Sequence, residues 1–191
     1  MSAAPARPQA SAPRTWRQRW RGHAGTLALV LLVFFGVQAW QTRTVPAALD
    51  DALLDLPLTT LRPGAAEQTS SLRAELAALQ QRHPGRNVAV YVWAEWCPIC
   101  TTMQGTVDGV ATDLPLITVA MQSGTPAAVA RYQHSRGLAW HTLVDPRGQL
   151  AQGLGFGAVP GFAVVTPDGQ LRWPTLGLTS GWGMRLRLWL A

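Results

Sequence analysis

The chain has 191 residues and a formal net charge of +6, a length that suits one domain of about 130–150 residues with an appendage. All sixteen basic residues are arginines, and six of them precede Pro46 with no acid among them. The remaining ten arginines balance the ten acids that follow, which argues against a nucleic-acid-binding surface on the folded domain.

The amino-terminal segment predicts a membrane anchor. Residues 1–21 are rich in Ala, Pro, Ser and Arg and are predicted to form a disordered, basic cytoplasmic tail. Residues 22–42 contain no Asp, Glu, Lys or Arg, and a helix of that length reaches about 30 Å, the thickness of the hydrocarbon core. The arginines before this run orient the tail to the cytoplasm. We therefore expect a single-pass transmembrane signal anchor in a bacterial inner membrane, with the rest of the chain periplasmic. The alternative is a cleavable export signal ending near Val37-Gln38-Ala39.

Residues 43–70 contain several prolines and are predicted to be a linker followed by a short extended edge segment. Residues 71–191 are predicted to form one domain in which strands and helices alternate. Helices are expected from Ser71 to His83, from Pro98 to about Ala111, from Thr125 onward, around Leu150, and from Ser180 onward. Strands are expected at 87–93, 116–120, 141–144, 159–166 and 170–173. The alternation indicates a partly parallel sheet, and the turn at Pro167-Asp168-Gly169 adds an antiparallel hairpin.

The last predicted helix carries apolar residues at helical spacing. Trp182, Leu186, Trp189 and Leu190 occupy positions i, i+4, i+7 and i+8. Residues at that spacing share one face of a helix. We expect this face to pack on the sheet.

The only two cysteines, Cys97 and Cys100, follow an apolar strand and open a helix. Two intervening residues put both sulfurs on one helical turn, beside the positive end of the helix. The pKa of a free cysteine is about 8.5, whereas cysteines in such positions have a pKa of about 3.5–7.5. The thiolate is therefore populated at neutral pH. The strand is expected to aim the first sulfur at solvent. The pair therefore predicts reversible thiol–disulfide exchange.

Three other uses of the cysteines compete with redox exchange. A structural zinc site needs four ligands, and the four histidines show no paired ligand spacing, so no metal site is predicted. A purely structural disulfide would close a loop of about four residues and remove little unfolded-state entropy. Copper(I) binding stays open, because Cys97, Cys100 and Met103 could offer three sulfurs, although Met103 also suits plain core packing.

The order of elements and the sequence Trp93-Ala-Glu-Trp-Cys97-x-x-Cys100 resemble the thioredoxin family. Val159-Pro160 before a strand and a hairpin is similar to the cis-proline loop of that family. The helix and strand between Thr125 and Val144 are similar to an insertion in its exported TlpA-like and DsbE-like branch. The last twelve residues before the terminus resemble the suppressor of copper sensitivity protein D group. The resemblance implies a thioredoxin-like three-layer α/β/α fold with a mixed sheet, preceded here by the transmembrane helix.

The resemblance also implies roles for individual residues. Cys97 would be the exposed attacking thiolate and Cys100 the resolving thiol that releases the partner. Pro160 would lie against the sulfurs in cis, and Val159 would offer backbone polar groups to an extended substrate.

Four further residues are expected to support the dithiol. Trp96 would shape an apolar rim, the intervening pair Pro98-Ile99 would tune the redox potential, and Glu95 could modulate Cys97 electrostatically. The chain departs from the family at Tyr91, which stands where thioredoxin has a buried acid, and it contains no lysine. The familiar proton-transfer partners are therefore missing.

The predicted function is that of a membrane-anchored periplasmic oxidoreductase that exchanges disulfides with exported proteins. No cofactor is predicted, and its partners would be exported protein thiols or disulfides and a membrane electron-donor protein, since the compartment is oxidising. One alternative is a dedicated thiol reductase for cytochrome c maturation. The other is a non-catalytic copper-binding or copper-resistance protein.

Overall fold

The computed structural model describes residues 16–41, 43, 45, 46 and 48–191, with side chains of the first helix from Gly25 to Trp40. The chain divides near residue 40 into two compact units. The first helix, α1 (Trp16–Gln41), begins upstream of the predicted anchor. No helix in the described part of the chain combines the length and the apolar character of a membrane crossing. The anchor at 22–42 therefore stays a prediction, and the predicted tail falls mostly on residues 1–15, outside the described residues.

The second unit is built on one sheet of seven strands. They are β1 (Leu58–Leu61), β2 (Gln68–Ser70), β3 (Val88–Trp93), β4 (Leu116–Met121), β5 (Thr142–Asp145), β6 (Gly161–Val165) and β7 (Leu171–Leu176). Their spatial order is β2-β1-β5-β4-β3-β6-β7. The β3–β4 and β4–β5 pairs are parallel and the other four pairs are antiparallel, so the predicted mixed sheet is confirmed.

Helices cover both faces of this sheet. They are α2 (Asp51–Leu54), α3 (Leu72–Arg82), α4 (Pro98–Asp113), α5 (Pro126–Arg136), α6 (Gln149–Gly153) and α7 (Gly181–Leu190). Every residue of β3 is buried, and successive side chains alternate between two cores. One core holds Tyr91 and Trp93 with residues of α4, α5 and α7; the other holds Val90 and Val92 with residues of α3 and α6. The predicted three-layer α/β/α arrangement is therefore confirmed.

Residues 58–70 contribute more to the fold than a linker does. They form the β1–β2 hairpin, with β1 paired to β5 and β2 at the edge. Leu58 and Leu61 are buried in the two cores. The sheet therefore begins before Ser71, because these two leucines cover apolar surface that β5 would otherwise leave in water.

The predicted orientation of α7 is wrong. Its buried residues are Gly183, Met184 and Leu188, whereas Trp182 and Trp189 are 73% and 79% exposed. The helix spacing of the tryptophan stripe is as predicted, but a second apolar pair, Met184 and Leu188, lies on the other side. These narrower side chains are the ones that fit the core beside α4.

A buried carboxylate and its polar partners lie between α3 and the start of β5. The Glu75 carboxylate is fully buried and accepts two hydrogen bonds of 2.8 Å from Arg62. Its second oxygen lies 2.7 Å from His141 Nε2. Burial alone raises the pKa of Glu75, but hydrogen bonds from Arg62 and Ser70 outweigh it, so the net pKa is lowered. Burial lowers the pKa of His141.

Candidate active site

The two cysteines lie where β3 leads into α4. Cys97 is the N-cap of the helix and Pro98 takes its first turn, where a missing N–H costs nothing. Cys97 and Cys100 are joined by a disulfide, with their Cα atoms 5.2 Å apart. The structure therefore shows the oxidised form of the pair that the spacing predicted.

The helix start provides an electrostatic environment for the sulfur of Cys97. The backbone N–H of Cys100 donates to Cys97 Sγ at 3.1 Å, and the positive end of the α4 dipole points at the same atom. Both interactions stabilise a thiolate once the pair is reduced. The expectation of an exposed first sulfur is wrong for this oxidised form, because Cys97 is only 4% exposed.

The loop before β6 covers this sulfur. The predicted cis peptide bond between Val159 and Pro160 is confirmed. The carbonyl oxygen of Val159 lies 3.7 Å from Cys97 Sγ, across 62 positions of sequence. The antiparallel pairing of β6 with β3 brings the loop to the end of β3 that leads to the cysteines.

The predicted supporting residues form an exposed rim around the dithiol. Trp96 and Ile99 are 58% and 45% exposed, and Glu95 and Pro98 are also exposed. Trp93 does not join this rim. It is buried and packs edge-on against Trp140 at 5.5 Å between ring centroids.

Two residues after β4, which the sequence analysis did not single out, hold the loop that precedes Cys97. The hydroxyl of Ser123 accepts the N–H of Glu95 at 3.1 Å and donates to the carbonyl of Met121 at 3.1 Å. The Trp96 indole N–H donates to the carbonyl of Gln122 at 3.0 Å. The parallel strands β3 and β4 end at the same edge of the sheet. A predicted parallel pair was therefore the signal from which this contact could have been found.

Tyr91 occupies the position of the missing acid. Its ring is buried and stands edge-on to Trp140, 6.2 Å between centroids. Its hydroxyl has no hydrogen-bond partner among the described residues. Burial raises the pKa of Tyr91, and the nearby Tyr132 raises it further. The phenol is therefore neutral, which leaves this position without a general base at neutral pH.

Metal-binding groups do not converge in the described part of the chain. No three side chains of His, Cys, Asp or Glu are close enough together there to hold an ion. Met103, the third sulfur considered for copper, is buried in the core with Val107 and Val110.

The chain belongs to the AhpC/TSA family, which it matches over residues 64–174. A thioredoxin-like protein of Haemophilus influenzae is 29% identical over 61% of this chain and 68% of the relative. A probable thiol:disulfide interchange protein, DsbE-2, of Pasteurella multocida is 25% identical over 77% of this chain and 73% of the relative. With its dithiol at the start of α4, the protein is a thioredoxin-like thiol–disulfide oxidoreductase.

Solved structures share the fold. A secreted disulfide oxidoreductase of Mycobacterium tuberculosis superposes with a TM-score of 0.53 at 20% identity, over 74% of this chain and all of that one. The exposed lipoprotein thioredoxin of Streptococcus pneumoniae gives a TM-score of 0.53 at 20% identity, over 71% of this chain and 99% of that one. These similarities support the thioredoxin-like fold that the sequence predicted.

Proposed function

We propose that the protein is a membrane-anchored oxidoreductase that exchanges disulfides with exported proteins through Cys97 and Cys100. The observation that carries this proposal is the contact between Val159 and Cys97. A backbone carbonyl 3.7 Å from the sulfur, just before β6, gives an extended partner segment a place to pair beside the reacting atom.

In the reducing direction, the Cys97 thiolate attacks one sulfur of a partner disulfide. A mixed disulfide forms, and the other partner sulfur leaves as a thiolate and takes up a proton. Cys100 then loses its proton and attacks Cys97 Sγ, which releases the second partner thiol and leaves the disulfide seen here. Two electrons pass to the partner. Oxidation of partner dithiols is the same sequence reversed.

The rim supports a protein substrate in preference to a small thiol. Trp96 is held by Gln122 at 3.0 Å yet keeps 58% of its surface exposed, so its ring is fixed in place without being part of the core. Ile99, two residues after Cys97, adds a second exposed apolar group. Exposed, fixed aromatic groups are typical of surfaces that bind partner proteins.

The compartment is proposed from the amino-terminal sequence. The arginine-rich tail before the uncharged run at 22–42 favours an anchor with the domain outside the cytoplasm. The similar Mycobacterium tuberculosis protein is secreted, which supports export. Because an exported compartment is oxidising, a reducing role requires a membrane electron-donor protein.

The test is insulin reduction by the full chain in detergent, with Cys97→Ser and Cys100→Ser as a matched pair. We expect Cys97→Ser to abolish reduction, and Cys100→Ser to accumulate mixed disulfides that mass spectrometry of membrane extracts identifies. Full activity of Cys97→Ser would show that the proposed nucleophile is wrong. If only apocytochromes are trapped, the narrower role in cytochrome c maturation replaces the general one.

The copper-binding alternative gives a different result in the same preparation. The reduced chain would then bind Cu(I) stoichiometrically and show no exchange activity. Equilibration with glutathione measures the reduction potential of the dithiol, which indicates the direction of electron flow. A reduction potential of about −120 mV is that of an oxidant, and one of about −270 mV is that of a reductant.

A further inference from the structure

The outward face of α7 carries apolar side chains that nothing in the described part of the chain covers. Trp182, Trp189 and Leu190 are 73%, 79% and 51% exposed, and Leu186 is half-buried. At 3.6 residues per turn these four side chains fall within an arc of roughly 100°. The buried residues Met184 and Leu188 lie on the opposite side of the helix, so the stripe is free to contact something else.

Two arginines flank this stripe. With the same helical spacing, Arg185 falls on one side of it and Arg187 on the other. Arg185 is held by the Gly109 carbonyl at 2.7 Å and by Asp113 at 2.9 Å, and Arg187 by the Gly183 carbonyl at 3.0 Å. The helix contains no acid. A short basic helix with tryptophans on its exposed face is typical of helices that lie in a membrane interface.

A groove beside Trp189 adds positive charge at the carboxyl end of α7. Its lining includes Arg86 and Arg185 together with Trp189. Asp113 also lines the groove, but it is already paired with Arg185. That pairing leaves Arg86 as the guanidinium beside the indole that suits the phosphate of an anionic lipid headgroup.

The end of α7 and the point where the chain enters the sheet lie at the same end of the domain. The carbonyl of Leu188 accepts a hydrogen bond of 2.8 Å from Asn87, directly before β3. Ala48 pairs with Gln170, directly before β7, and the starts of β3 and β7 are joined through Val165 of β6. The dithiol follows the opposite end of β3, about 20 Å away for a strand of six residues.

We propose that the exposed face of α7 docks the domain on the surface of an anionic phospholipid bilayer. The proposal rests on the proposed function, because an anchor ending at residue 42 leaves only a few residues of chain before Ala48 of the domain. A second copy of this helix offers no acid to Arg187, whereas an anionic bilayer does, and this disfavours a symmetric contact. Docking in this way leaves the dithiol facing away from the bilayer, open to exported partners.

The test is hydroxyl-radical footprinting of the full chain in nanodiscs. One preparation contains phosphatidylglycerol with phosphatidylcholine, the second contains phosphatidylcholine alone, and the third is the chain in detergent. We expect oxidation of Trp182 and Trp189 to slow by about threefold or more in the anionic nanodiscs. Trp96, exposed at the other end of the domain, is the internal control and should oxidise at the same rate in all three. Equal oxidation of Trp182 and Trp189 across the three preparations would refute the proposal. Protection in detergent that rises with protein concentration would also refute it, because it indicates self-association.

A pair of variants separates this proposal from the proposed function. Trp182→Ser with Trp189→Ser should abolish the lipid-dependent protection of the α7 peptide, whereas Trp173→Ser, a half-exposed tryptophan on β7, should keep it. Insulin reduction in detergent should be unchanged in the double variant and in Trp173→Ser. A wild-type chain without exchange activity would contradict the proposed function and would leave the docking proposal standing. If the chain is not retained by nanodiscs, the anchor is wrong, and flotation with phosphatidylglycerol vesicles then decides the docking proposal. Binding that the double variant loses supports it, and no binding by the wild-type chain overturns it.

Discussion

Replacing Ser123 by alanine removes the hydroxyl that holds the loop before the dithiol. Ser123 is fully buried, and its hydroxyl bonds both the Glu95 N–H and the Met121 carbonyl. Each of the two lost hydrogen bonds contributes about 0.5–1.5 kcal/mol, since Glu95 itself is exposed and water can reach its N–H in part. We therefore expect the free energy of unfolding to fall by about 1–3 kcal/mol. For a domain of this size, Tm should fall by about 2–12 °C.

The measurement is thermal and urea unfolding of the oxidised chain, followed by circular dichroism. The matched control is Ser135→Ala, which deletes an exposed hydroxyl bonded to the Tyr132 carbonyl at 2.8 Å and should change stability by less than about 0.5 kcal/mol. Insulin reduction at 25 °C should also fall in Ser123→Ala, by up to about tenfold, because the loop no longer fixes the approach to Cys97. Equal unfolding curves for the two variants would refute the reasoning.

Three further predictions concern Glu75 with its partners and the start of β6. Glu75→Gln should cost about 1–3 kcal/mol, because the buried carboxylate loses its charge-assisted hydrogen bonds to the partly exposed Arg62; urea unfolding at neutral pH measures this. The folded-state pKa of both Glu75 and His141 is lowered, so their contribution is present above the unfolded values and is lost on acidification. Wild-type stability should accordingly decline as pH falls below 6.5 and again below 4.5, and a flat profile over that range would contradict the assignment. Gly161→Ala should lower Tm, because its Cβ would lie 2.7 Å from the Phe156 ring, whereas Gly109→Ala, with nothing within 4 Å, should raise it slightly.

Local patterns predicted most of the domain from α3 onward. Ser71 caps α3 and Thr125 caps α5, each through a side-chain oxygen that accepts a backbone N–H within one turn, so the signal and its effect lie in the same few residues. The sequence signal for the dithiol is equally local, because Cys97, Pro98 and Cys100 lie within one turn at the start of α4. The β1–β2 hairpin was predicted only as a short extended edge segment, since its place in the sheet depends on pairing with β5, about eighty residues later.

The sequence of α7 alone does not show which face of the helix packs on the core. Two apolar pairs follow helical spacing, Trp182 with Trp189 and Met184 with Leu188. Periodicity does not distinguish which of these two sides contacts the core. Met184 and Leu188 pack in the core that α4 also lines, and the indoles of Trp182 and Trp189 remain outside. Packing partners from other elements therefore decide which side of α7 is buried, and those partners lie far away in the chain.

The amino-acid sequence by itself determined the chemistry of this protein. Two cysteines at the start of a helix after a buried strand predict a redox dithiol, because the sulfur spacing and the helix dipole are local properties. The tertiary structure decided what faces that dithiol. The antiparallel return of β6 sets the Val159 carbonyl against Cys97, and the parallel end of β4 brings Ser123 to the loop before it. These contacts join segments that are distant in sequence, so only the pairing of the strands fixes them.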